Sequence, residues 1–67
     1  MIEKQKIDEL IVTLYSEIVS YNKEAERYSY DEQDRRANRE ELRVLDAKIE
    51  ARRSIIKRLE ALGEEAE

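Results

Sequence analysis

Apolar side chains in the first half of the chain recur at alternating steps of four and three residues. The positions that follow this spacing are Ile7, Ile11, Leu14, Ile18, Tyr21, Ala25 and Tyr28. Such steps place side chains on one face of an α-helix, and a sustained series is typical of a helix that packs along another helix. We therefore predict a first helix over residues 3–28 whose buried face is this series, called here the first seam.

A second series with the same spacing occupies the other half of the chain. This second seam consists of Leu42, Leu45, Ile49, Arg52, Ile56 and Leu59, with Ile55 and Leu62 beside it. Gly63 follows directly, and a glycine in that place can adopt the left-handed conformation that commonly ends a helix. We predict a second helix over residues 31–62 and a frayed acidic tail over residues 63–67.

The stretch between the two seams has no large aliphatic residue before Leu42. If the first seam continued through this stretch and the second half of the chain, charged residues would recur at its positions, alternating with apolar ones from Leu42 onward, which disfavours one unbroken helix. We therefore expect the chain to reverse direction. Ser29 and Glu32 have the spacing of a capping box, which places a tight turn over residues 28–31. The alternative is a helix start at Asn38, which would make residues 29–37 a longer loop.

Composition agrees with an all-helical chain. The 67 residues include no proline and one glycine, 45% of them are charged, and the length allows one small domain. We predict an all-α antiparallel two-helix hairpin that resembles a coiled coil. A reversal at residue 30 would bring together positions whose numbers sum to about 60, such as Ile18 with Leu42 and Ile11 with Ile49.

Four apolar residues of the first helix lie outside its seam: Leu10 flanks the seam, and Val12, Tyr15 and Val19 form a second stripe. Either they are half-exposed positions of a monomer, or they form a second packing surface. Two helices bury one side only, and hairpins of this size commonly complete their core by twofold pairing. We predict a homodimer that forms a four-helix bundle through these residues.

Arg52 occupies a position in the middle of the second seam. A buried arginine is costly unless it is paired, so we predict an ion pair with Asp8, or with the nearby Glu3 or Glu9. In the alternative, the Arg52 side chain reaches solvent near an open end of the bundle.

Aromatic and arginine side chains are concentrated near the reversal of the chain. Rings packed on guanidinium groups would account for some of them, with Tyr21 and Tyr28 lying on arginine stems. Tyrosine and arginine are also enriched at binding hot spots. We predict that the tip binds a partner through Tyr21, Tyr28, Tyr30, Arg35, Arg36 and Arg39.

The sequence offers little for catalysis or metal binding. It has no histidine and no cysteine, so it lacks the usual general base, thiol nucleophile and zinc ligands. The acidic group at Asp31, Glu32 and Asp34 fits favourable charge at a helix start better than a calcium loop. We predict no enzymatic activity, no metal and no cofactor.

A small non-enzymatic protein that binds another protein is the function this sequence favours: an adaptor, chaperone or inhibitor, including an accessory protein of a phage or mobile element. One alternative is nucleic-acid binding through a basic stripe on the second helix, and another is a self-assembling coiled coil. The longest apolar run, residues 10–14, is interrupted by Thr13 and is too short to cross a membrane, and we expect a cytoplasmic protein. The basic stripe comprises Arg35, Arg39, Arg43, Arg53 and Lys57.

Overall fold

The structure is a computed structural model that describes residues 3–66, and two long helices dominate it. The elements in chain order are α1 (Lys4–Tyr28), α2 (Glu32–Ala37) and α3 (Arg39–Ala66). α1 and α3 pack side by side in opposite directions, giving a body of 49 × 14 × 12 Å. One continuous helix over the same residues would be roughly 95 Å long at about 1.5 Å per residue. The all-α hairpin is therefore confirmed.

The predicted seams are the packing surfaces of the hairpin. Ile7 and Ile18 of α1 are buried, and the remaining residues of the first seam are all half-buried. On α3 the buried apolar residues are Leu45, Ile49 and Ile56, all from the second seam. Because these positions repeat with the period of a supercoiled helix pair, one continuous strip of each helix faces the other.

The cap of the helix that follows the reversal is Asp31 rather than Ser29. The Asp31 carboxylate accepts a hydrogen bond from the backbone N–H of Asp34 at 2.8 Å. The Ser29 hydroxyl instead donates to the carbonyl of Ala25 at 2.7 Å, within the last turn of α1. Ser29 thus bonds to a carbonyl at the end of α1 and does not cap the next helix. Asp31 is the N-cap instead, and its negative charge is favourable at a helix N-terminus.

Asn38 interrupts the second helix that we predicted to be continuous over residues 31–62. Its side-chain amide donates to the carbonyls of Tyr28, at 3.3 Å, and Asp34, at 3.0 Å. Its own carbonyl accepts the backbone N–H of Leu42 at 3.0 Å. Asn38 therefore ties together the ends of all three helices. The alternative start at Asn38 describes the long helix correctly, although α2 replaces the expected loop.

The helices pair in a different register from the one that a reversal at residue 30 would give. Ile7 lies beside Gly63, and Glu17 lies beside Arg52, so the numbers of facing positions sum to about 70 rather than 60. The reason is the connection: α2 takes up residues that a tight turn would have left to the second helix. The predicted pairs of Ile18 with Leu42 and of Ile11 with Ile49 are therefore wrong.

Gly63 does not end the second helix. α3 continues to Ala66, no glycine in the described residues has a positive φ, and Gly63 is buried against α1. The predicted tail is thus helical over residues 63–66, and Glu67 lies outside the described residues. A Cβ atom added at Gly63 would meet Cγ2 of Ile7 at 3.7 Å, which is an ordinary contact.

We expect Gly63→Ala to raise the free energy of unfolding by about 0.5 to 1 kcal/mol, because alanine favours a helix interior and the site has room for its methyl group. Urea unfolding followed by circular dichroism measures the change. Ala61→Gly, at an exposed position of the same helix, is the matched control and should lower stability by a similar amount. A clear loss of stability in Gly63→Ala would show that the glycine ends the helix after all.

Candidate functional site

The six residues predicted to bind a partner do not form one surface. The ring of Tyr21 is covered by two cations of α3: the guanidinium carbon of Arg52 is 4.7 Å from the ring centroid and Nζ of Lys48 is 5.4 Å from it. Tyr28 is half-buried. The expected packing of rings on guanidinium groups thus exists for Tyr21, but the register supplies Arg52 and Lys48 instead of arginines near the tip. Tyr21 is engaged within the hairpin.

A second group of predicted residues faces solvent at the end of the hairpin. Tyr30 is 88% exposed, beyond the end of α1. Arg36 forms an exposed ion pair with Glu32 at 3.4 Å, one helical turn away. A shallow depression on α2 lies beside them, lined by Asp31, Glu32, Gln33 and Arg36. We call Tyr30 and these four residues the outer tip surface, of which Glu32 and Arg36 also line a larger cleft beside the hairpin.

Arginines from α2 and α3 converge on a cleft of about 540 Å³ beside the hairpin, and we call it the arginine cleft. Two carboxylates and an apolar floor complete it. The guanidinium groups of Arg35, Arg39 and Arg43 make no hydrogen bond, ion pair or ring contact with another described residue. The cleft therefore presents unpaired positive charge. Its lining consists of Asn22, Ala25, Glu32, Arg35, Arg36, Arg39, Leu42, Arg43, Asp46 and Ile49.

A smaller cleft of about 210 Å³ lies at the other end of the hairpin, near the chain termini, and it has the opposite charge. Three carboxylates line it, from Asp8, Glu60 and Glu64, together with Lys4. We call this the acidic cleft. The remaining lining residues are apolar or small: Ile7, Ile11, Leu59 and Gly63.

Arg52 pairs with Glu17 rather than with Asp8. Its Nε lies 3.5 Å from Oε2 of Glu17, and its Nη1 donates to the carbonyl of Lys48 at 3.0 Å. With the ring of Tyr21 alongside, the guanidinium is largely covered, so it does not reach out into solvent either. The register explains the change of partner, because Asp8 lies at the level of Glu60 and Gly63. Arg52 thus contacts Glu17 and Tyr21 of α1 and Lys48 of its own helix, although its buried Nε makes no hydrogen bond.

The three residues predicted to form a dimer interface are exposed on one flank of α1. Val12 is 65% exposed, and Tyr15 and Val19 are each 51% exposed. The hairpin leaves them without an apolar cover.

A further apolar stripe on α3 was missed in part from the sequence. Val44, Ile55 and Leu62 are exposed on the flank that also carries Lys48. Ile55 and Leu62 appear in the sequence only as additions to the second seam. The signal for a separate stripe is the spacing of Val44, Ala51, Ile55 and Leu62 by steps of seven and four.

Other features of the described residues bear on chemistry. No group of three or more acidic side chains within residues 3–66 is placed to hold a metal ion. Of the helices that the structure describes, none has both the length and the apolar character to span a bilayer. In comparisons with known proteins, no family model, no curated protein and no solved structure matches the chain.

Proposed function

We propose that the protein is a small non-enzymatic interaction module that pairs with a second copy of itself and binds another protein through the outer tip surface. The observation that supports this proposal is an imbalance of apolar side chains. Among the described residues, five apolar residues are buried in the core, whereas eight large apolar residues are exposed. Three of the exposed residues, Val12, Tyr15 and Val19, lie together on one flank of α1, and a contiguous exposed apolar patch is typical of proteins that associate.

Self-association would use the flank of α1 that carries Val12, Tyr15 and Val19. The three positions lie on one face of the helix, next to the first seam but outside the hairpin contact. Pairing two hairpins through this flank gives a four-helix bundle, in which each flank is covered by its copy.

The outer tip surface is the proposed site for the other protein. Tyr30 does not serve the core, because it is almost fully exposed, and the exposed ion pair of Arg36 with Glu32 contributes little to folding. Tyrosine and arginine supply large contact areas with polar ends, which suits them to recognition. An adaptor, a chaperone and an inhibitor would all act by occupying a surface of a partner in this way.

We expect Tyr30→Ala and Arg36→Glu each to abolish capture of the partner by the tagged protein from its native cell. Helix content should stay nearly unchanged, because neither side chain packs in the core. Arg36 also lines the arginine cleft, so sedimentation should establish the oligomeric state of each variant before capture is compared. Affinity purification with identification of the retained proteins is the measurement. Arg58→Glu, which makes the same charge change at an exposed position of α3, is the control and should retain the partner. Capture that survives both tip substitutions would place the site on the helix flanks.

Nucleic-acid binding is the second candidate, because the unpaired guanidinium groups of the arginine cleft could contact phosphates. Acidic groups near these arginines and the negative net charge of the chain disfavour nucleic-acid binding. Asp46 lies within the cleft, and Arg53 of the basic stripe already pairs with Glu50 at 3.4 Å. The formal net charge of the whole chain is −4. Binding to single- or double-stranded oligonucleotides at low salt, lost steeply as salt is added, would favour this candidate.

A further inference from the structure

We propose that two copies pair antiparallel, so that the arginine cleft of each copy receives the carboxylates of the acidic cleft of the other. This inference rests on the proposed homodimer and adds its orientation and the groups that determine it.

The two clefts lie on the same flank of the hairpin. On α1, Ile11 lines the acidic cleft and Ala25 lines the arginine cleft, and the two residues are two heptads apart. On α3, Asp46 and Glu60 have the same separation and line the arginine and the acidic cleft respectively. Residues separated by whole heptads share one face of a supercoiled helix, so both clefts open toward the same side.

The apolar stripe of α1 lies between the clefts on that side. Tyr15 is one heptad after Asp8, which lines the acidic cleft, and one heptad before Asn22, which lines the arginine cleft. Val19, one turn further along α1, is exposed beside Tyr15. The α1 side of the flank is therefore acidic, apolar and basic in turn from the base of the hairpin to its tip, while α3 places Arg53, which pairs with Glu50, midway between the clefts.

Charge complementarity selects the antiparallel arrangement of two such flanks. Four arginines against two carboxylates line the arginine cleft, and three carboxylates against one lysine line the acidic cleft. A twofold axis through the apolar middle, perpendicular to the helices, would lay each arginine cleft on an acidic cleft and each apolar stripe on its copy. A parallel pair would lay arginines on arginines and carboxylates on carboxylates, which is unfavourable at an interface.

The unpaired state of Arg35, Arg39 and Arg43 fits this arrangement. None of their guanidinium groups has a partner among the described residues, although Asp46 and Glu32 line the same cleft. Carboxylates from a second copy would supply partners that the chain does not supply to itself. The interface is isologous, so it closes at two copies and does not continue into a filament.

A spin label at the tip measures the orientation directly. The chain has no cysteine, so Gln33→Cys provides a single labelling site on exposed α2. In an antiparallel dimer the two labels lie at opposite ends, separated by close to the 49 Å length of the hairpin. In a parallel dimer the labels lie side by side, at less than half that distance. A short distance would overturn this inference and leave the proposed homodimer intact, whereas monomer at every concentration would overturn both.

Charge exchange tests the clefts themselves. Arg39→Glu with Arg43→Glu, or Glu60→Lys with Glu64→Lys, places like charges together, and each pair should raise the dissociation constant of the dimer by about tenfold or more. All four positions are exposed in the hairpin, so circular dichroism should show that each variant folds. The chain with all four substitutions exchanges the signs of both clefts and should dimerise within about threefold of the original chain. A dissociation constant that is unchanged in the two double variants, or not restored in the fourfold variant, would overturn the inference.

Discussion

Ile56→Ala is expected to lower the free energy of unfolding by about 2 to 5 kcal/mol, the range for loss of a large buried aliphatic side chain. Ile56 is 2% exposed and lies in a cluster with Ile18 and Ile49, against which Ile11, Leu14 and Tyr21 also pack. A domain of this size rarely has more than about 3 to 5 kcal/mol of stability from its core. The variant should therefore be largely unfolded at room temperature, which far-ultraviolet circular dichroism with urea titration would detect.

The adjacent residue provides a matched control for Ile56. Ile55 is the same residue type on the same helix, but it is 45% exposed and lies on the outer flank of α3. Ile55→Ala should cost less than about 1 kcal/mol, because most of its surface is already in contact with water. Equal losses for the two variants would contradict the assignment of the second seam to the hairpin core.

The second large effect is expected from Val12→Glu combined with Val19→Glu. Both side chains are more than half exposed, so the substitutions remove little burial within the hairpin, and glutamate is the better helix former. In a dimer that covers these residues, two buried carboxylates per chain would have no partners. We expect sedimentation equilibrium at micromolar concentration to show a dimer for the original chain and monomer, or unfolded chain, for the variant.

The opposite flank supplies the control for this prediction. Val44→Glu with Ile55→Glu introduces the same charges on the exposed apolar stripe of α3. This variant should remain dimeric if the interface is on α1. Dissociation of the α3 variant together with an unchanged dimer in the α1 variant would transfer the interface to the stripe of α3.

The sequence predicts which residues face the core but not the register of the two helices. Burial follows from spacing, because residues at helical spacing share one face of the helix. The residues of both seams are accordingly buried or half-buried. Register depends on how many residues the reversal uses. That number was decided by competition among side chains that can all cap a helix: Ser29 bonds back to α1, Asp31 caps α2, and Asn38 ends it.

The same difference in register accounts for most of what the sequence could not show about the candidate sites. Tyr21 meets Arg52 and Lys48, and Arg52 meets Glu17, because α2 displaces the pairing of α1 with α3. The exposure of Val12, Tyr15 and Val19 does not depend on how the two helices are aligned. Their position on one helix determines it, so periodicity was enough to predict it. The two clefts combine residues of different helices and so emerge only from the three-dimensional structure.

The hydrogen bonds of Asn38 also bear on the order in which contacts form during folding. The bond from its amide to Tyr28 joins residues ten apart in the chain, whereas Ile7 and Gly63 come from near opposite termini. The entropy lost on closing a loop grows with its length, and a loop of about ten residues closes in about 10 to 100 ns. Contacts at the connection are therefore the least costly to make first, and each one shortens the loop that the next must close. The hairpin is expected to close from Asn38 toward the termini and to open in the reverse order, so that the first turns of α1 and the last turns of α3 separate before the tip does.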